Sequence, residues 1–161
     1  MQLIKNRALA QSHWQYPDFE DAVNDEAQKQ PQVVDGTLHD YRDWLRLDTA
    51  TKAAVKGLVL QPDVDIDAAS EALKNGALAN VDIIGIYFPA FTEGRGYTQA
   101  AILRNQLHFN GELRAINVYR DNLVLLEDVG FDAFDLHESE DITEALLAFD
   151  ELDLNLDRAH A

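Results

Sequence analysis

The sequence predicts an α/β fold, an open and mostly parallel sheet (or a half-barrel) of about four βα units with an N-terminal strand pair. From residue 56 onward, short apolar segments alternate with helical segments of about ten residues, an order typical of parallel strands joined by helices. Residues 81–88 are apolar at nearly every position, which indicates a strand buried on both faces. About four units are too few to close an eight-stranded barrel.

The first 55 residues carry a different pattern. Leu3-Ile4 and Ala8-Leu9-Ala10 flank Asn6-Arg7, so we predict two strands joined by a tight turn. The extended chain is expected to continue to Trp14 and Tyr16. Residues 17–31 are acidic and rich in glutamine, which favours a surface connection. Residues 33–34 are predicted as a short strand, and residues 39–47 as a helix with Tyr41, Trp44, Leu45 and Leu47 facing inward.

The remaining elements follow from apolar runs and their stop signals. The predicted strands are residues 57–60, 81–88, 113–118 and 132–136, and the predicted helices are residues 66–74, 96–107, 121–129 and 142–152. Asp65 or Asp67 is expected near the N-cap of the first of these helices, and Gly130 at the C-terminal position of the third. We therefore predict a single domain over residues 1–161, divided into residues 1–55, the βα units of residues 56–152, and a tail of residues 153–161.

Composition limits the classes of function. The chain has 161 residues with 47% hydrophobic and 26% charged side chains, which is typical of a globular domain. No apolar run reaches the roughly twenty residues that span a bilayer, and the first residues lack the apolar core of a signal peptide, so we expect a cytoplasmic protein. A formal net charge of −16 disfavours nucleic acid and membrane surfaces as partners.

The chain contains no cysteine. It therefore has no thiol nucleophile, no disulfide and no cysteine ligand for an iron–sulfur cluster or zinc. Electron transfer by this chain would require a bound organic cofactor or a partner protein, and no cofactor-binding motif is evident in the sequence.

Three loops follow the carboxyl ends of predicted strands, where open parallel sheets bind their ligands. The first, residues 89–98, ends one strand and opens a helix, and its candidate anion-binding residues are Thr92, Gly94, Arg95 and Gly96. The glycines allow tight backbone geometry, free amides at a helix start favour anions, and a guanidinium binds oxyanions through two parallel hydrogen bonds. The spacing matches neither the dinucleotide fingerprint nor a Walker loop. The structural alternative is a glycine-bracketed turn in which Arg95 pairs with a local acid such as Glu93.

The second loop carries Arg120 and Asp121 directly after a strand. Arg120 beside Arg95 would form a two-arginine anion site, whereas Asp121 is well placed to cap the next helix. The third loop contains His137 among acidic residues 138–141, and no second histidine stands at a metal-ligand spacing. We therefore expect a solvated histidine and no metal there.

Acidic residues are concentrated near the end of the chain. Residues 122–157 contain neither lysine nor arginine, while aspartate and glutamate recur throughout. Such a surface could steer docking onto a basic partner, or serve only solubility.

Several segments together resemble one bacterial family. They are Leu3-Ile4-Lys5, residues 88–97 (Phe-Pro-Ala-Phe-Thr-Glu-Gly-Arg-Gly-Tyr), Leu103-Arg104, residues 111–115, Arg120-Asp121 and residues 130–134 (Gly-Phe-Asp-Ala-Phe). In the order and spacing of these segments, the chain is similar to an uncharacterised family assigned to assimilatory sulfite reduction. The genes of that family commonly lie beside those for sulfite reductase. Val129 stands where the family often has cysteine, and the segment between Arg114 and Arg120 is one residue shorter than usual.

The resemblance implies a role in sulfur assimilation. The first hypothesis is an accessory protein that binds a small anion, or a partner such as sulfite reductase or another sulfur-assimilation protein, at the edge carrying Arg95 and Arg120. The alternative is an oxidoreductase that binds a flavin or a nucleotide phosphate at Gly94-Arg95-Gly96. No catalytic residue follows from the resemblance.

Overall fold

The structure, a computed structural model, describes residues 1–19, 32–74, 76–89 and 94–159, with residues 152–159 as backbone alone. Seven strands of these described residues form one sheet: β1 (Gln2–Lys5), β2 (Ala8–Gln11), β3 (His39–Asp40), β4 (Gly57–Leu60), β5 (Ile83–Tyr87), β6 (Glu112–Val118) and β7 (Ala133–Leu136). Their order across the sheet is β2-β1-β7-β6-β5-β4-β3. β3 to β7 are parallel, and β1 lies antiparallel to both β2 and β7. The predicted open α/β sheet with its N-terminal strand pair is confirmed.

The hairpin of β1 and β2 has a two-residue turn. Lys5 pairs with Ala8, and the residues between them, Asn6 and Arg7, have positive φ angles of 52° and 63°. Two consecutive left-handed residues match the right-handed twist of the flanking strands, which is why this turn closes tightly. The hairpin then joins the sheet through Ile4 and Lys5, which pair with Phe134 and Ala133 of β7.

In the described part of the chain five α-helices accompany the sheet: α1 (Tyr41–Leu45), α2 (Thr49–Ala54), α3 (Arg95–Ala101), α4 (Leu123–Asp128) and α5 (Ile142–Ala159). A π-helical segment, Ile102–Gln106, continues α3, and short 3₁₀ turns cover Glu71–Leu73 and Arg120–Asn122. α4 ends as predicted, because Gly130 has a φ of 115° and the amides of Gly130 and Phe131 donate to the carbonyls of Glu127 and Leu126. These two bonds satisfy carbonyls that the helix end would otherwise leave open.

Three predictions in the first half of the sheet were wrong. Residues 39–47 are not one helix, because His39–Asp40 pairs with β4 and the carboxylate of Asp40 caps α1 by accepting from the amide of Arg42 at 2.8 Å. Leu45 is exposed rather than inward-facing. Val33-Val34 is not a strand, since the amide of Val34 donates to Nε2 of His39 at 3.0 Å.

The helix predicted over residues 66–74 is reduced to the 3₁₀ turn Glu71–Leu73. Asp67 explains the difference, because its carboxylate accepts from the amide of Ala69 at 2.9 Å and its carbonyl from the amide of Ser70 at 3.0 Å. Such local bonds offer the backbone an alternative to helix. The last helix is longer than predicted and reaches Ala159.

The sheet buries apolar side chains on both faces. The helix-side core is built from residues such as Leu58, Ile84, Leu113 and Phe134, packed against α3, α4 and α5. The opposite face, here called the second face, has a smaller cluster of Leu38, Val59, Ile83 and Ile116, against which Trp14, Tyr16, Phe19 and Tyr87 pack. The segment after the hairpin therefore covers the second face. None of the helices in the described part of the chain is long and apolar enough to cross a bilayer.

Candidate functional site

The carboxyl ends of β5, β6 and β7 lie side by side, because these strands are adjacent and parallel. α3 begins after β5, the 3₁₀ turn Arg120–Asn122 follows β6, and His137 follows β7. The sheet thus brings the described parts of the three predicted loops to one edge, here called the carboxyl edge, where ligands of such sheets bind.

Arg95 is the first residue of α3, and its side chain is exposed. Thr92 and Glu93 lie outside the described residues. The two glycines differ in environment. Gly96 is buried, and a Cβ at this position would overlap the ring of Phe88, so this glycine lets helix and strand pack closely. Gly94 has a φ of −67° and open space where a Cβ would be, so neither backbone conformation nor packing demands glycine there.

Arg120 is held among carboxylates. Its Nη2 lies 3.0 Å from Oε1 of Glu151 on α5, and its amide donates to Oε1 of Glu140 at 3.4 Å. The arginine is one-third exposed, whereas Glu151 is largely exposed. This ion pair fixes the direction of the guanidinium and competes with any anion for it. The predicted capping role of Asp121 is wrong: Asp121 lies within the 3₁₀ turn, and Asn122 precedes α4 with no side-chain cap.

His137 is partly exposed, and its ring also packs against a neighbouring side chain. Its ring stacks on Tyr119 with centroids 4.7 Å apart and planes 19° apart. Nδ1 accepts from the amide of Ser139 at 3.1 Å and lies 2.8 Å from its Oγ. Because Nδ1 accepts, the neutral ring carries its proton on Nε2. The described residues contain no group of three or more side chains that could hold a metal ion.

The second face carries a polar network that was not predicted from the sequence. Arg114 of β6 is 2% exposed, and its Nη2 lies 2.7 Å from Oε2 of Glu112, while Lys5 lies 2.9 Å from Oε1 of the same carboxylate. Nη1 of Arg114 donates to the hydroxyl of Tyr16 at 3.1 Å, and this hydroxyl is also hydrogen-bonded to Asp135. The signal in the sequence was a pair of charged residues, Glu112 and Arg114, at alternate positions of a buried strand.

Burial dominates the electrostatics of this network. It raises the pKa of the Tyr16 hydroxyl, Asp135 raises it further, and the Arg114 guanidinium acts in the opposite direction. Burial likewise raises the pKa of Asp135, against the hydrogen bond from Tyr16 and the charge of Arg114. The phenol therefore stays protonated at physiological pH and bridges a guanidinium and a carboxyl group.

Three segments that carry the family resemblance have structural roles. Arg104, in the π-helical segment, donates to three carbonyls, those of Phe109, Gly111 and Gly130, at 2.8–2.9 Å. A Cβ at Gly130 would lie 2.6 Å from Cγ of Arg104. Asp132 accepts from the amide of Leu113 at 2.8 Å. These contacts tie the amino ends of β6 and β7 to α3 and explain the residue types without a ligand.

The fold and this edge define an open-sheet α/β domain with arginine-bearing loops beyond its parallel strands. The profile of a family described as "Bacterial protein of unknown function (DUF934)" matches residues 57–160, well over half of the 161-residue chain. The chain belongs to this family. No curated protein and no solved structure shows significant similarity to it.

Proposed function

We propose that the protein is an accessory protein of assimilatory sulfite reduction that binds a small oxyanion such as sulfite at the carboxyl edge. The observation that supports this proposal most directly is the placement of Arg95 and Arg120 after adjacent parallel strands. Both residues therefore belong to the edge where ligands of open parallel sheets bind. The pathway rests on the family resemblance of residues 88–97 and 130–134.

The surroundings of the two arginines suit a weak, exchangeable ligand. Glu151 already neutralises Arg120, so an incoming oxyanion replaces a largely exposed carboxylate rather than filling an unmatched site. Exposed ion pairs contribute little free energy, typically about 0–1 kcal/mol, so this exchange has a low cost. His137 follows the neighbouring strand β7, and its ring would add a hydrogen-bond donor.

A role in handling the ligand, rather than in reducing it alone, fits the composition. The chain has no cysteine and therefore supplies no thiol and no cysteine ligand for a cluster. Docking of a partner such as sulfite reductase would use the exposed face of α5, where Glu144, Asp150 and Glu151 surround the exposed Leu147. An acidic face of this kind favours a basic partner surface.

Growth of the host bacterium tests the proposal. Deletion of the gene is expected to impair growth on sulfate or sulfite as sole sulfur source and to leave growth on cysteine normal. Complementation with Arg95→Ala is expected to restore growth poorly, because loss of a charge-assisted hydrogen bond costs about 1.5–3 kcal/mol, or ten- to hundredfold in binding. Arg95→Lys should restore growth in part if the contact is bidentate.

Arg7→Ala is the matched control. Arg7 is also exposed and pairs with Glu127 at 2.7 Å, but it lies in the hairpin turn at the opposite edge of the sheet. Arg7→Ala should complement fully. Normal growth of the deletion strain on sulfate would detach the protein from this pathway, and equal effects of Arg7→Ala and Arg95→Ala would remove the carboxyl edge from the mechanism. A flavin spectrum of the purified protein would support the oxidoreductase alternative instead.

A further inference from the structure

A pocket of about 250 Å³ lies on the second face, between the β1–β2 hairpin, the segment that follows it, and β6. Leu3 and Arg114 form its buried floor. Its other lining residues are Lys5, Ala10, Gln11, Ser12, His13, Trp14, Gly36 and Glu112. Gln11, His13 and Gly36 are exposed, so the pocket opens to solvent at this rim. Nothing in the proposed accessory function uses it.

The charges in the pocket do not balance. Lys5 and Arg114 share a single carboxylate, that of Glu112, at 2.9 and 2.7 Å. Tyr16 bridges Arg114 and Asp135, a carboxyl group that does not line the pocket. The lining therefore carries two cations, Lys5 and Arg114, and one carboxylate, that of Glu112, and this positive balance favours an anionic ligand.

Lys5 is the cation that a ligand can reach. Its side chain is 43% exposed, against 10% for Glu112 and 2% for Arg114. An ammonium group has three donors, and one of them is directed to Glu112, which leaves donors for a further oxyanion. Leu3, Ala10 and Trp14 supply apolar wall beside it.

We propose that this pocket binds a small organic carboxylate, with its carboxylate group on Nζ of Lys5 and its apolar body against Leu3, Ala10 and Trp14. Pockets for drug-sized ligands measure about 300–1,000 Å³, so the occupant is smaller than such a ligand. The apolar wall selects an organic acid over an inorganic oxyanion. The site is independent of the carboxyl edge that carries Arg95 and Arg120.

Amide chemical shifts of the ¹⁵N-labelled full chain test the proposal with benzoate as the probe. Saturable shifts are expected at Gln11, Ser12 and Gly36, which line the pocket. Benzyl alcohol and benzylamine, which have the same ring without the carboxylate, should cause no saturable shift there. Saturation by benzylamine at equal concentration, or the absence of saturable benzoate shifts at these amides, would overturn the proposal.

Two lysine variants give a matched comparison. Lys74 is about as exposed as Lys5 and also pairs with a glutamate, Glu71, at 2.8 Å, but it lies away from the pocket lining. Lys5→Met should weaken benzoate binding at least tenfold, since a charge-assisted contact is lost, whereas Lys74→Met should leave it unchanged. Unchanged affinity in Lys5→Met would overturn the assignment of Lys5.

Glu112→Gln provides a test of opposite sign. Removing the carboxylate that Lys5 and Arg114 share leaves both cations for the ligand, so benzoate should bind more tightly, and weaker binding in the folded variant would contradict the proposal. Arg95→Ala and Arg120→Ala should leave the benzoate shifts at Gly36 unaltered. These experiments therefore test the pocket proposal and the sulfite-site proposal separately.

Discussion

The hydroxyl of Tyr16 accepts a hydrogen bond from Nη1 of Arg114 at 3.1 Å, joining residues 98 positions apart in the chain. Its other hydrogen bond, with Asp135, links β6 to β7 across the second face. Because Arg114 is almost completely buried, its charge depends on Glu112 and on this phenol for hydrogen bonds. The segment after the hairpin is thereby fixed to the sheet by a polar contact as well as by its aromatic rings.

Removal of this hydroxyl should destabilise the protein. Tyr16→Phe leaves Nη1 of Arg114 and the carboxyl group of Asp135 without their shared partner, at an expected cost of about 1–3 kcal/mol in the free energy of unfolding. Tyr87→Phe is the control, because Tyr87 lies in the same aromatic cluster and stacks on Phe19 at 4.2 Å, and no hydrogen bond of its hydroxyl occurs among the described residues. Urea denaturation measures both variants. Equal losses would show that the hydroxyl of Tyr16 has no special role.

The pKa of Asp135 gives stability a predictable pH dependence. Because burial raises this pKa in the folded state, the folded protein binds more protons than the unfolded chain above the ordinary aspartate pKa of about 3.9. The stabilising contribution of Asp135 to the free energy of unfolding is fully present below a pH of about 3.9 and is lost as pH rises through the raised pKa. In urea titrations, the stability of wild type relative to Asp135→Asn should therefore decline from pH 4 toward neutrality. A difference that grows with pH would contradict the burial argument.

Substitution of Gly96 tests the packing of α3 on β5. In Gly96→Ala the new methyl group would overlap the ring of Phe88, and overpacking of this kind costs about 1–3 kcal/mol. In Gly94→Ala the new methyl group meets open space. Alanine is less favourable than glycine at the N-cap of a helix, and this difference alone should lower the free energy of unfolding by less than about 1 kcal/mol. Thermal and urea unfolding of the two variants compare them directly. A larger loss in Gly94→Ala would contradict this account of the two glycines.

Much of the fold could be predicted because it depends on local patterns. Apolar runs marked β4 to β7, and the pair Asn6-Arg7 between short apolar segments marked the hairpin. The missed features depend on contacts between distant segments. The network around Arg114 requires Tyr16 to cross the second face, and the packing of His137 requires Tyr119 from the neighbouring strand. The helix over residues 66–74 was wrongly predicted because aspartate, here Asp67, both caps helices and closes tight turns.

The candidate site was predictable only in its position. The rule for parallel sheets placed Arg95 and Arg120 at the carboxyl edge, where the structure has them. Neither composition nor spacing could reveal that Glu151, 31 residues further along the chain, pairs with Arg120. That pairing depends on the packing of α5, whose length was also underestimated.

Arg104 should be among the most sensitive positions in the chain. Its guanidinium donates to the carbonyls of Phe109, Gly111 and Gly130, and Arg104→Met leaves all three without this donor. Since hydrogen bonds to a charged group contribute about 1.5–3 kcal/mol each and are only partly additive, we expect a loss of at least about 3 kcal/mol. Arg46→Met, at an exposed arginine paired with Asp43, should change stability by less than about 1 kcal/mol. A small effect in Arg104→Met would show that water replaces the guanidinium at these carbonyls.

The ion pair between Arg120 and Glu151 gives the oxyanion proposal its sharpest test in vitro. If sulfite binds at Arg120, it competes with the Glu151 carboxylate, whose oxygen lies 3.0 Å from Nη2. Glu151→Gln should therefore increase sulfite affinity, by two- to fivefold, because an exposed pair contributes up to about 1 kcal/mol. Glu127→Gln, which removes the analogous partner of Arg7 at the opposite edge, should leave the affinity unchanged. Calorimetric titration with sulfite at constant ionic strength measures both variants. If Glu151→Gln and Glu127→Gln behave alike, Arg120 does not contact the anion.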